Sequence, residues 1–254
     1  MKPKVELSYE ANELRRRFGE DLSSPIDVFA ILQSQERLTL VFYPMSDRIS
    51  GMCVRTLGGE QLVAVNSALS RGRQRFTAAH ELYHLFVQQE IRSVVCSKEI
   101  GGGKDEEEKN ADVFASYFLS PNDALRSFIE NLSRRGKSQS ITLETVVRIE
   151  QHFRMSRQAT LYRLVGDGFI SLDFANTLKQ NIIVSARKFG FDDELYTATP
   201  DERQHHTTGS YIGLAEQLKE RDIISNGKYE ELLLDAYRAD IVYNLEPEGQ
   251  ETYD

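Results

Sequence analysis

Apolar side chains recur at helical spacing near the start of the chain, where Ala11, Leu14 and Phe18 in "SYEANELRRRFG" share a face and Gly19 ends the run. The next stretch, "SSPIDVFAILQSQE", predicts a capped second helix with Pro25 near its start. The period then changes. "RLTLVFYP", "ISGMCVRTLGG" and "EQLVAVNSA" are rich in β-branched and aromatic residues and predict three strands, with Gly58-Gly59 turning a hairpin between the last two. After them, in "QRFTAAHELYHLFVQQE", apolar residues occupy nearly every azimuth of a helix, which predicts burial on most sides. One stripe breaks the pattern: Thr77, His80, Glu81, His84 and Gln88 recur at steps of three and four and share a face. Polar groups set into a buried helix cost free energy unless something satisfies them.

A loop holding "IGGGKDEE" leads to a helix from about Asp105 to Leu119, closed by Ser120-Pro121. Together these elements predict a mixed α+β unit over residues 1–135. From Asn131 to Ser140 the polar and basic run "NLSRRGKSQS" reads as a linker or exposed turn. Beyond it, "LETVVRIEQHFRMSRQATLYRLVGDGFIS" reads as helix, short turn, helix, a helix-turn-helix-like segment over 139–171. Residues 172–254 form a third region, α/β or helical, with a strand expected at "NIIVSARKF", an acidic helix at "GKYEELLLDAYRADIVYNL" and a polar end, "EPEGQETYD", expected to fray.

Composition narrows the choice of function. The formal net charge of -8 argues against binding nucleic acid by bulk electrostatics, since phosphate contacts need clustered Lys and Arg. Cys53 and Cys96 are the only cysteines, "MKPKVELSYE" has no apolar signal core, and no apolar run is long enough to span a membrane. The expectation is a cytoplasmic protein with reduced thiols and no membrane partner.

His80-Glu81-Leu82-Tyr83-His84 fits the H-E-x-x-H pattern, in which two histidines one helical turn apart hold a single Zn²⁺ and the glutamate serves as general base. The plainer alternative is a pair of hydrogen-bonded core histidines beside a buried carboxylate, which burial makes costly. A catalytic zinc wants a third protein ligand. In "KDEEEKNADVFASYFLSP" the apolar face is Ala111, Phe114, Ala115, Phe118 and Leu119, with Glu108 and Asp112 beside it one turn apart. That spacing suits one carboxylate ligand and one carboxylate that accepts the other ring N–H of a liganding histidine. The same acids also suit a solvated helix start, and composition leaves Glu107 and Glu108 equal as ligands.

"RQRFTAAHELYH" followed by "EKNADVFASYFLSP" resembles the paired signature of the ImmA/IrrE family of zinc-dependent metallopeptidases, with "SPIDVFAILQ" and "AVNSALSRGRQRFT" extending the likeness over about the first 135 residues. The resemblance implies a zincin-like domain. In its register the ligand glutamate falls on Glu108. The sequence departs from the commoner pattern at Tyr83, where Gly is frequent, and at Asp112, where Asn is frequent. The implied task is cleavage of a specific protein substrate, a transcriptional repressor often carrying its own helix-turn-helix, in a DNA-damage, stress or mobile-element (phage-defence) response.

The implied chemistry is peptide hydrolysis, with His80, His84 and Glu108 on Zn²⁺, Asp112 orienting a histidine, and Glu81 moving the proton from water to the leaving amine. Tyr83, Tyr117 and His152 are candidates for stabilising the oxyanion. "EQLVAVNSA" is the candidate strand edge for the substrate backbone. Cys96, between the two motif segments, is a candidate fourth ligand that holds the site inactive, its alternative being a small buried residue. Arg154, Arg157 and Arg163 on the helical pair could touch DNA or single-stranded nucleic acid as an activator, although a helix pair docking the repressor suits the acidic chain better. The competing function is a catalytically silent, zinc-containing regulator that binds DNA or a repressor partner. The intact Glu81 favours the peptidase, because a structural site has no use for a base there.

Overall fold

A computed structural model describes residues 1–88, 93–97, 99–101, 105–136 and 140–245. Helix α1 (Lys4–Arg17) buries Leu7, Ala11 and Leu14 along one stripe. Its Arg15 is also buried, donating to the carbonyls of Asp21 and Phe118 at 2.7 Å and of Ser24 at 2.6 Å. The second helix, α2 (Val28–Gln33), starts after Asp27, whose side chain accepts from the Phe29 N–H, so Pro25 precedes the helix and Asp27 opens it.

Three strands follow as expected: β1 (Leu38–Tyr43), β2 (Ile49–Arg55) and β3 (Gln61–Asn66), with β2 and β3 antiparallel. They join β4 (Ser93–Ser97) and β5 (His206–Gly209) in a five-stranded sheet of order β4-β2-β3-β1-β5. Strand β3 is therefore central, parallel to β1 and antiparallel to β2, and "EQLVAVNSA" cannot take a substrate strand. The described edges are β4 and β5, and β5 is supplied from far along the chain, antiparallel to β1.

Helix α3 (Arg71–Phe86) carries the polar stripe across the sheet and packs on α4 (Glu106–Leu119), which in turn packs on α1. The expected linker is largely helix. Helix α5 (Asn122–Gly136) places Ala124, Leu125, Phe128 and Ile129 toward the core, so part of its polar composition is the solvated face of an amphipathic helix. The helical pair is α6 (Leu143–Phe153), capped by Thr142, and α7 (Arg157–Gly166), capped by Ser156, with Arg154 in the left-handed region between them.

Helices α8 (Leu172–Thr177) and α9 (Ile182–Lys188) follow, and α9 replaces the strand expected at "NIIVSARKF". Its β-branched run misleads because only Ser185 and Ala186 are buried, leaving Val184 exposed. The acidic helix is broken into α11 (Asn226–Asp235) and α12 (Ala239–Val242), behind α10 (Ser210–Glu220), with Tyr237 at φ 58° in the break. "EPEGQETYD" lies outside the described residues.

One apolar core runs from Leu7 to Leu178 and includes Val146, Ile149, Phe153, Leu161 and Leu164 of the helical pair. A smaller cluster of Ala215, Tyr229 and Leu233 holds α10 and α11 together. Among the described residues no helix is long and apolar enough to cross a membrane.

Candidate metal centre

Helix α3 aims both imidazoles at one point. The Nε2 atoms of His80 and His84 stand 3.1 Å apart, and Glu108 on α4 presents Oε2 to His80 Nε2 at 3.5 Å and Oε1 to His84 Nε2 at 3.2 Å. Two ring nitrogens a helical turn apart have no reason to converge for each other's sake, as only one can donate to the other. A tetrahedral ion with bonds of about 2.0–2.1 Å would hold two nitrogens about 3.3 Å apart, close to what is seen.

The other ring nitrogens are occupied. His80 Nδ1–H donates to Asp112 Oδ1 at 3.0 Å, and Asp112 Oδ2 accepts the Gly101 N–H at 2.6 Å. His84 Nδ1–H donates to Gln88 Oε1 at 2.5 Å. Both partners hold a proton on Nδ1 and so fix the rings with Nε2 toward Glu108. Asp112 stands beside His80 as the spacing of the two helices leads one to expect. Gln88 was on the stripe but without a role, and the Gly101 amide comes from loop backbone that no side-chain pattern announces.

Glu107 and Glu108 point in different directions. Glu107 Oε2 accepts from the Tyr83 hydroxyl at 2.6 Å, away from the imidazoles, while Glu108 faces them. That contact also removes Tyr83 as an oxyanion group. Tyr117 donates to Asp167 at 3.0 Å and His152 stacks on Phe128 at 4.2 Å between ring centroids, so neither points into the centre.

Glu81 is 0% exposed, and among the described residues its carboxylate oxygens meet no hydrogen-bond donor but the thiols of Cys96 and Cys53. Burial raises its pKa, against the opposing pull of His80 and His84 and the thiols of Cys96 and Cys53. The space it needs comes from Gly51 on β2, where a Cβ would stand 2.5 Å from Thr77 Cγ2, 2.7 Å from the Ala64 carbonyl and 3.2 Å from Glu81 Oε1. This glycine is a site residue that the sequence hid, because it reads as one more hydrophobic-strand position.

Cys96, on β4, completes a group in which one ligand atom from each of His80, His84, Cys96 and Glu108 lies within 4.8 Å of the others. Both cysteines are free. Burial first, and then the Glu81 carboxylate, pushes both thiol pKa values up, which argues against either as a nucleophile.

Without metal, burial tends to lower the His80 pKa, but Asp112, Glu108 and Glu81 outweigh it and push it up to about 10. Metal binding at neutral pH must therefore expel a proton, so affinity falls as pH falls. Calorimetric titration with zinc in buffers of different ionisation enthalpy should show at least one proton released per metal at pH 7; heats independent of buffer would contradict this.

Of the three arginines expected to reach nucleic acid, two are buried. Arg157 and Arg163 are 2% and 3% exposed, Arg157 paired with Glu150 and Arg163 with Asp167 and bonded to Asn122 at 2.8 Å. Of the three, Arg154 alone reaches solvent, 3.8 Å from Glu194. Arg157 and Arg163 are internal struts.

The family model for peptidase M78, described as an IrrE N-terminal-like domain, matches residues 35–165, more than half of the chain. No curated protein matches. The matched stretch runs from just before β1 to the end of α7 and so contains His80, Glu81, His84, Cys96, Glu108 and Asp112. With its α+β zincin-like fold and its convergent imidazole and carboxylate donors, this chain belongs to the ImmA/IrrE family of metallopeptidases.

Proposed function

We propose that this chain is a zinc-dependent endopeptidase of the cytoplasm that cleaves one regulatory protein, a helix-turn-helix transcriptional repressor, in response to DNA damage, stress or a mobile element such as a phage. The observation that carries this reading is the convergence of His80, His84 and Glu108 beside Glu81, a fully buried carboxylate that among the described residues has no ion-pair or hydroxyl, amide or N–H partner. Two imidazoles with one carboxylate suit zinc's borderline character, and His80, His84 and Glu108 would hold it. Zinc supplies Lewis-acid polarisation of the scissile carbonyl and a lowered pKa for water.

The chain supplies the rest. Asp112 and Gln88 keep the Nδ1 protons of His80 and His84 in place and so the Nε2 atoms aimed. Glu81 takes the proton of the attacking water on a carboxylate oxygen and returns it to the leaving amine. The repressor as substrate rests on the family resemblance of the two motifs. A nucleic-acid activator would find only Arg154 accessible of the three arginines named above.

The test is to mix the zinc-loaded chain with a panel of helix-turn-helix repressors and follow fragments by mass spectrometry. One member should be cut at a discrete bond, a chelator should stop the reaction and added zinc restore it. Zinc bound with no cleavage of any member, by the unmodified chain and by Cys96→Ala alike, would favour the second reading, a zinc-containing regulator without catalysis. One observation supports that alternative: Cys96 sits where a fourth ligand would turn an open site into a closed one.

A further inference from the structure

Strand β4 is an edge strand, hydrogen-bonded to β2 alone among the described residues. Its pairing with β2 is irregular at one place: the register slips between Ile49 and Gly51, opposite Ser97 and Cys96. Such bulges bend a strand and re-aim a side chain. After the slip Cys96 lies across from Gly51, the residue whose missing Cβ also leaves room for Glu81. The result is a 1% exposed thiol with Sγ 3.9 Å from Glu108 Oε1, in the same small space as the two Nε2 atoms. Glu81, fully buried and with no hydrogen-bond donor among the described residues but the thiols of Cys96 and Cys53, lies against it. Cys53, also buried on the same side of the sheet two residues along β2, is not in the ligand group.

Resting on the metallopeptidase reading above, we infer that Cys96 is a fourth metal ligand that closes the centre and keeps the enzyme latent. Ligation breaks the S–H bond, forms a metal–sulfur bond and releases the proton to water. The position a substrate carbonyl or water must occupy is then filled from within the chain. Release of Sγ opens it, and β4, held on one side only, is the element whose shift would do so. The inference also reconciles a set of four ligands, normal for a structural site, with a general base that a structural site does not need.

The test uses the full chain loaded with Co²⁺ as a spectroscopic stand-in. The unmodified protein should show a near-ultraviolet sulfur-to-cobalt charge-transfer band, kept in Cys53→Ala and lost in Cys96→Ser and Cys96→Ala. Acetohydroxamate, a small ligand for open metal positions, should bind the cobalt form of Cys96→Ala about tenfold or more tightly than the unmodified form, as expected if the open state is a tenth or less of the population. Because the first measurement is made on the unmodified protein, the inference does not depend on a variant folding. Cobalt bound without a sulfur band overturns the closure by Cys96 and leaves the metallopeptidase reading standing, as does a band lost in Cys53→Ala instead, or equal hydroxamate binding in both proteins. Failure of the unmodified chain to take up cobalt or zinc overturns both.

Discussion

Glu81→Gln should abolish repressor cleavage while leaving the metal in place. The amide keeps the shape of the carboxylate in a space already bounded by Gly51 and Thr77, so the fold has little to rearrange. It exchanges a desolvated charge for a neutral amide, which costs less to bury. What it cannot do is accept a proton, and general-base catalysis of this kind is worth about 10²–10⁴-fold in rate. The ligands are untouched, so zinc content by atomic absorption should equal that of the unmodified protein. Burial raises the Glu81 pKa in the metal-free chain; the base is lost as pH falls through its pKa, and Glu81→Gln should lack the acid limb that this loss gives the pH–rate profile. Cleavage within about threefold of normal, on a scale where the base is worth orders of magnitude, would remove Glu81 from the chemistry.

The second large effect concerns stability. Arg157 pairs with the fully buried Glu150, and its guanidinium donates to the Leu178 carbonyl at 2.8 Å and to Ser185 Oγ at 2.9 Å, while Tyr196 donates to Glu150 at 2.8 Å. One side chain thus ties α6 and α7 to α8 and α9 through groups that have no water to fall back on. Arg157→Ala strands the Glu150 carboxylate and the carbonyl, which should cost about 3–5 kcal/mol. For a chain of this length that corresponds to a fall in melting temperature of roughly 10 °C, measurable by circular dichroism. The double replacement Glu150→Leu with Arg157→Met should recover much of the loss, since it removes both charges together. A shift below about 2 °C for Arg157→Ala would mean the pair carries little.

The parts of the site that sequence made legible are those carried by one helix at a time. Steps of three and four put His80, Glu81 and His84 on one face, and the same arithmetic set Glu108 beside Asp112. What brings these together is tertiary: Gly51 through a missing side chain, Gly101 through an amide, and Cys96 through a slipped register on a strand that was not predicted. Secondary structure failed for the same reason at "NIIVSARKF". Local β-propensity pointed one way and the burial of Ser185 and Ala186 decided the other. Arginine surfaces were the least legible, because spacing reports which face a side chain shares and not whether that face meets water. Arg157 and Arg163 look inward.

Strand β5 has a consequence for how this polypeptide can be divided. His206–Gly209 lies against β1 with four residues in register, so the lateral boundary of the peptidase sheet is supplied by sequence well beyond the matched residues 35–165. Cutting the gene after the helical pair would leave Thr39 to Phe42 with a raw row of amides and carbonyls, an invitation to self-association. The carboxyl-terminal third therefore acts, whatever else it does, as a selvedge for the layer beneath the metal centre.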